Sequence, residues 1–335
     1  MVLGVGMIRI GVIGLGRWGP NHVRVFCQLQ GCRVVAVADS NPTLRSKFGQ
    51  RHPGLAMFSS SLALLKLSEV DAVVIATPTK THARLAQLAL RNRKHVLCEK
   101  PLCTRVSESS ALQVLARKMR RILMVGHVFL FNPGIQRVRQ LLHSGALGEP
   151  RSLSAIRTNL GPVRSDVNAA WDLASHDVAI FNWLLGAEPK KVRAMGASFL
   201  QPGVEDVVNI AMRYPGNVLA TIHCSWLDPK KVRQITLVCS KKMVTWDDLS
   251  LSHPVMIHEK KAETNHDIGD YGQFLRISLL EGDVHLIKVA AEEPLRLQAE
   301  AFLRACRTGK VAVSGAEFAS GVVRTLERVQ SCLRK

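Results

Sequence analysis

The stretch that most limits how this chain can fold lies close to its start. "IRIGVI" (Ile8–Ile13) is a β-branched apolar run, and "GLGRWG" follows it without a break. Gly14, Gly16 and Gly19 therefore stand as G-x-G-x-x-G directly after a strand. "PNHVRVFCQL" then carries apolar residues at helical spacing, and "RVVAVAD" reads as a second buried strand that ends in Asp39. A strand, a glycine turn, a helix, a strand and a terminal acid in this register form a βαβ dinucleotide-binding unit. Gly14 permits the tight turn, Gly16 lets a pyrophosphate approach the backbone, and Gly19 allows the helix to pack close to the strand. The helix N-terminus then faces the phosphates. Asp39, with Ser40 beside it, is placed to take the ribose hydroxyls and repel a 2′-phosphate, which favours NAD over NADP. Arg45 leaves NADP open.

The alternation continues through "DAVVIATP", "THARLAQLALRN", "KHVLCEKP", "SESSALQVLARKM" and "RILMVGH". Strands alternating with helices predict a doubly wound parallel sheet, whose ligands sit at the carboxyl ends of its strands. Thr77, Pro78, Glu99 and Lys100 fall at such ends, and Arg17 and Trp18 lie within the glycine loop, so all six are candidate cofactor contacts. His82 reads equally as a surface residue at a helix start and as a cofactor contact, and His127 lies near the same loops.

Beyond this region the pattern changes. "RSLSAIRTNL", "VVNIAMRY", "VLATIHCSW", "RQITLVCS" and "KMVTW" are short alternating runs separated by turn signals such as "YPGN" and "LDPKK". They predict a large, open, mainly antiparallel sheet. Two late amphipathic segments, roughly 294–307 and 316–333, are expected to close the structure at the domain junction. The expected division is a Rossmann domain over 7–128 and a substrate and oligomerisation domain over 129–335. Met1–Gly6 reads as a dispensable extension, since Met7 opens the first strand without it.

"WDLASHD" places Asp172 and His176 four residues apart, on one face of an α-helix. Oxidising a secondary alcohol requires a hydride acceptor and a base for the hydroxyl proton. His176 is suited to that base, with Asp172 orienting it and Lys100 polarising the developing alkoxide. A packed histidine capped by an acid is the alternative. Arg157, Asn159, Arg164 and Asn168 precede this helix and are candidate contacts for phosphate or sugar hydroxyls.

Several motifs in this order carry a family likeness: "GVIGLGRWGPNHVRVF", "ATPTKTHARLA", "CEKPL", "VGHVFLFNP", "WDLASHDVAIFNWLLG" and "EEPLRLQAEAF". The chain resembles the Gfo/Idh/MocA family of NAD(P)-dependent oxidoreductases. "GPVRSDVNAAWDLASHD" and "SWLDPKKVRQITLVCSKKMVTWDD" are most similar to its nucleotide-sugar members of the UDP-N-acetylglucosaminuronate 3-dehydrogenase type. The resemblance implies that Lys100 sits near the nicotinamide and that Asp172 and His176 serve as orienting or substrate-binding group and acid/base. It also implies a homodimer or homotetramer formed through the second sheet. The segment from about 250 to 281 matches no motif and leaves the sugar open.

The bulk composition narrows the alternatives. The net charge is +19, but the basic groups are scattered and no nucleic-acid-binding signature accompanies them. No apolar run reaches membrane-spanning length, and the eight cysteines show no metal spacing. A cytoplasmic enzyme with no metal, no membrane contact and no nucleic-acid partner is expected. The substrate alternatives are a free polyol or cyclitol, or an imine or enamine. A non-catalytic NAD-binding sensor of the same fold is the non-enzymatic one.

Overall fold

The computed structural model describes residues 6–269 and 272–334, with side chains outside 261–278. The expectation for Met1–Gly6 falls, apart from Gly6, outside the described residues.

Six strands form the first sheet: β1 (Ile8–Ile13), β2 (Cys32–Ala38), β3 (Ala56–Phe58), β4 (Ala72–Ile75), β5 (His95–Glu99) and β6 (Leu123–Gly126). All neighbours run parallel, in the order β3-β2-β1-β4-β5-β6. Helices cover both faces of such a sheet, so its central strands are apolar throughout, and every residue of β4 is buried. The connecting helices are α1 (Gly19–Gln28), α2 (Pro42–Arg51), α3 (Ser61–Leu65), α4 (His82–Arg91) and α5 (Val106–Met119). The strand order reverses between β1 and β4, which opens a crevice beyond their carboxyl ends.

Helix α6 (Pro133–His143) leads into the second sheet. Its main strands are β7 (Pro150–Leu160), β8 (Lys191–Ala197), β9 (Val207–Arg213), β10 (Leu219–Ser225), β11 (Leu227–Cys239), β12 (Met243–Asp247) and β13 (Val255–His258). Strands β14 (Lys261–Gly269) and β15 (Gly272–Leu280) form a separate two-stranded sheet among the described residues, and β16 (Val284–Ile287) completes the edge. The eight-stranded order is β16-β13-β12-β11-β7-β10-β9-β8. All pairs are antiparallel except β7 with β10. One face is buried under a five-residue π-helix, Ala170–Ala174, and the α7 helix (Ser175–Leu185) that continues it. The other face is open. Met195, Asn209, His223, Ile156, Gln234 and Asp247 form one row across it, and Met195 and Ile156 are exposed.

Helices α8 (Pro294–Thr308) and α9 (Ala316–Leu333) agree with the two late amphipathic segments. α8 packs on α1, and α9 packs on both α5 and β8, so the chain end touches both sheets. Among the described residues no helix is long and apolar enough to cross a membrane, and no group of His, Cys, Asp and Glu is arranged to hold a metal ion. All eight cysteines are free thiols.

Candidate active site

The glycine loop takes its shape from steric exclusion. Gly14 has φ +98°, and a Cβ there would lie 2.5 Å from the Ala76 carbonyl oxygen. A Cβ on Gly19 would lie 1.9 Å from the Gly14 carbonyl oxygen, so the helix could not seat against the strand. At Gly16 nothing lies within 4 Å, and this opening faces a cavity of about 620 Å³. Gly14, Asp39, Ser40, Thr77 and Pro78 also line that cavity. The first turn of α1 has no side-chain cap and no acidic residue, so its free N–H groups suit an anion. Asp39 accepts hydrogen bonds from Leu15 N at 2.6 Å and Asn41 N at 2.8 Å, which fixes the loop. Each carboxylate oxygen keeps a second lone pair for a ribose hydroxyl. The residues therefore fit a dinucleotide.

His82 departs from both readings made for it. It is buried, with Nδ1 2.8 Å from the Pro101 carbonyl and Nε2 2.8 Å from the Thr77 carbonyl. It ties the loop after β4 to the loop after β5 and has no free nitrogen for a cofactor. Burial pushes its pKa below the ordinary histidine value, while the two carbonyls, which only a protonated ring can satisfy together, pull the other way. Glu99 is likewise engaged by protein groups, bonding His22 Nε2 at 2.8 Å and accepting from Lys100 N at 3.3 Å. Burial alone would raise the Glu99 carboxyl, but His22 and Lys100 hold it low.

The β5 terminus delivers Lys100 to the π-helix. Its ammonium donates to the Asp172 carbonyl oxygen at 2.7 Å and to Asp172 Oδ1 at 3.2 Å. Arg164 Nη1 also donates to Oδ1 at 3.2 Å, and Trp226 Nε1 donates to Oδ2 at 3.3 Å. Burial pushes the Asp172 carboxyl up, but Lys100 and Arg164 together bring it below the usual carboxylate range. The expected Asp172–His176 contact is absent. The i→i+5 bonding of the π segment widens the turn, and Asp172 is directed to Lys100 rather than to the imidazole.

His176 lines a cavity of about 410 Å³ together with Lys100, Asp172, Asn159, Arg17 and Trp18. Its Nδ1 is buried and without a partner, which leaves Nε2 as the nitrogen for the cavity. Phe129 meets its ring edge-on at 4.8 Å between centroids. Burial, then the charges of Lys100 and Arg157, hold its pKa well below 6.5. The imidazole is therefore neutral at neutral pH, the form that accepts a proton.

Three of the four candidate substrate contacts turn out to be structural, and Arg164 and Asn168 do not line this cavity. Arg157 is buried and forms a bidentate pair with Asp177, both bonds 2.8 Å, while its guanidinium stacks 4.5 Å from the Phe129 ring. It lines the cavity, but those donors are occupied. Asn168 lies elsewhere, bonding Glu205 and Gln330 beside a separate cavity. Arg164 is a cross-link: it bonds Asp166, Asp172 and Thr79 Oγ1, tying the second sheet's loop to the cofactor crevice. Asn159 remains at the cavity, with its amide bonded to the Gly161 carbonyl. Arg17 and Trp18 line this cavity rather than the one beside Asp39.

Phe129, Trp226, Lys231 and Arg233 were not singled out from sequence, yet all four line the cavity. The signal was present in "SWLDPKKVR", where a tryptophan and basic residues enter a strand next to a turn. Register supplies the rest, because Arg233 pairs directly opposite Arg157 and both lie over Phe129.

A nucleotide crevice beside a lysine, a carboxylate and a neutral histidine defines an NAD-binding oxidoreductase. The chain belongs to the Gfo/Idh/MocA family. Residues 8–127 match its "Oxidoreductase family, NAD-binding Rossmann fold", and residues 135–245 match its "GFO/IDH/MocA C-terminal domain". A UDP-N-acetylglucosamine 3-dehydrogenase of Acidithiobacillus ferrooxidans is 36% identical over 192 residues, 57% of this chain and 58% of that protein. Inositol 2-dehydrogenase 2 of Saccharopolyspora erythraea is 34% identical over 187 residues, 54% of this chain and 55% of that protein. The chain thus aligns with a little over half the length of these curated relatives. The solved structure of the Acidithiobacillus ferrooxidans enzyme superposes with a TM-score of 0.82 at 26% identity, covering 98% of both chains.

Proposed function

We propose that this protein is a dehydrogenase or ketoreductase that moves hydride to or from a secondary CH–OH carbon of a sugar, and that the sugar is nucleotide-linked. One observation carries the reading: Lys100, Asp172 and His176 converge on a single cavity, next to a crevice whose glycine loop fits a dinucleotide. Bound NAD supplies the hydride acceptor. His176 Nε2 takes the hydroxyl proton as the carbon gives up its hydride, and returns it in the reverse direction. Lys100 donates to the oxygen as negative charge develops there. Asp172 aims the Lys100 ammonium. Phe129 packs edge-on against the imidazole, and burial with the charges of Lys100 and Arg157 keeps it unprotonated.

The likeness to inositol dehydrogenases supports a polyol substrate as the second reading. Nicotinamide reduction by UDP-, GDP- and dTDP-sugars alongside myo-inositol decides between the two. Reduction with none of them by folded, NAD-loaded protein would favour a sensor. The family likeness and the exposed Met195 and Ile156 also support assembly into a homodimer or homotetramer through the open face of the second sheet. Light scattering tests this.

A further inference from the structure

The cavity beside His176 is lined by five lysine and arginine side chains and one carboxylate. Three of the cations already have an acid. Lys100 holds Asp172 at 3.2 Å, Arg157 holds Asp177 at 2.8 Å, and Arg233 holds Asp248 at 2.8 Å. The other two, Arg17 and Lys231, form no ion pair and no side-chain hydrogen bond among the described residues.

These two come from different walls. Arg17 belongs to the glycine loop after β1. Lys231 sits in the irregular opening of β11, where the pairing with β7 shifts register between Leu227 and Val232. That irregularity takes Pro229, Lys230 and Lys231 out of the ladder, and Pro229 and Lys231 line the cavity. Trp18 and Leu160 line the same cavity and present exposed apolar surface, Leu160 at 73% exposure. Unpaired cations beside exposed apolar side chains suit a ligand with both anionic and carbon-rich parts. A neutral polyol supplies no anion to either cation.

We propose that Lys231, with Arg17 across the mouth, is the specificity-determining anion site, and that it holds the diphosphate of a nucleoside-diphosphate sugar whose sugar ring reaches His176. This rests on the dehydrogenase reading and deepens it. Lys231 is the side chain that separates nucleotide-sugar turnover from polyol turnover. It touches no reacting atom. Its loss weakens substrate binding more than it slows chemistry.

The test uses NAD-loaded full-length protein. Calorimetric titration compares UDP, UMP and uridine, and steady-state assays compare UDP-, GDP- and dTDP-sugars, N-acetylglucosamine 1-phosphate and myo-inositol. UDP should bind at least 10-fold tighter than uridine, and its affinity should fall as salt rises. Lys231→Met should raise the nucleotide-sugar KM roughly 10- to 100-fold with a smaller change in kcat, and Lys231→Arg should recover most of the loss. Arg17→Ala should weaken UDP more than it weakens NAD. Equal binding of UDP and uridine, or Lys231→Met with unaltered UDP affinity, overturns the proposal. Turnover of myo-inositol but of no nucleotide sugar would overturn it while leaving the dehydrogenase standing. Lys231-dependent UDP binding without turnover of any substrate would uphold the anion site and remove the dehydrogenase. Tighter binding of N-acetylglucosamine 1-phosphate than of any nucleotide sugar would exclude the diphosphate assignment.

Discussion

Lys100 and Asp172 are joined twice across the two sheets, through the Asp172 backbone oxygen at 2.7 Å and its carboxylate at 3.2 Å. The lysine directly follows β5 of the first sheet, and the aspartate sits in the π-helix covering the second. Asp172→Asn keeps the backbone bond but removes the carboxylate charge that aims the ammonium, and should lower turnover about 10- to 100-fold with NAD affinity nearly unchanged. Because the two side chains act as one unit, the double variant with Lys100→Met should fall well short of the summed single losses. Additive losses in such a cycle would separate the two roles.

His176→Ala should lower turnover by roughly 100- to 10,000-fold, the range for a positioned acid or base, and leave the NAD dissociation constant intact. Near-normal turnover by a folded His176→Ala protein would assign the proton to another group.

The pH–rate profile offers an independent check. Burial and the Lys100 charge both depress the His176 pKa. The acid limb of kcat/KM for alcohol oxidation should therefore lie below pH 6.5. Lys100→Met removes one of these influences, so whatever activity remains should show its acid limb moved upward. An unmoved or lowered limb would contradict this coupling.

Stability should also depend on buried histidines. Burial lowers His95 to about 4 and His127 to about 3 from an ordinary 6.5. Between those values the unfolded chain binds more protons than the folded one, so stability rises with pH across that window and falls on acidification below 6.5. His95 Nδ1 also accepts from Ile122 N at 3.1 Å, a bond that protonation there breaks. Urea midpoints should be level above about pH 7 and drop steadily toward pH 4. His95→Gln should make that drop shallower. A flat midpoint down to pH 5 would show that these rings titrate without strain.

Asp39 predicts tighter binding of NAD than NADP. Asp39→Ser should narrow or reverse the preference, because Arg45 Nη1 already lies 2.7 Å from the Asp39 carbonyl oxygen, close to where a 2′-phosphate would need a cation. Fluorescence titration of both cofactors settles the order.

The parts of the molecule that follow local rules were legible in the sequence. Gly14, Gly16 and Gly19 announced the cofactor loop because each answers to backbone sterics within one βαβ unit. Five of the second sheet's eight strands were legible from their alternation, but "LDPKK", read as a turn signal, lies inside β11, where a register shift mimics a turn. The Asp172–His176 pairing was misread because i,i+4 spacing assumes α geometry, and the π segment redirects Asp172. Arg157 and Asn168 looked like free polar residues because Asp177, Glu205 and Gln330 reach them only through tertiary contacts. The cluster on Phe129 was invisible for the same reason: it depends on Arg157 and Arg233 being opposite one another in strands far apart in sequence.

The edge strand β6 is closed by a segment from near the far end of the chain. Val125 N donates to the Ser314 carbonyl at 2.9 Å, Ser314 Oγ donates back to the Val125 carbonyl at 2.6 Å, and Met124 bridges Gly315. During synthesis the first sheet is complete in sequence long before residue 315 leaves the ribosome. Throughout that interval one edge of β6 lacks its final partner and is open to pairing with another nascent chain. The edge of the cofactor-binding half is therefore closed only once Ser314 and Gly315, between the last two helices, have been made, and a fragment ending near residue 128 should be prone to self-association.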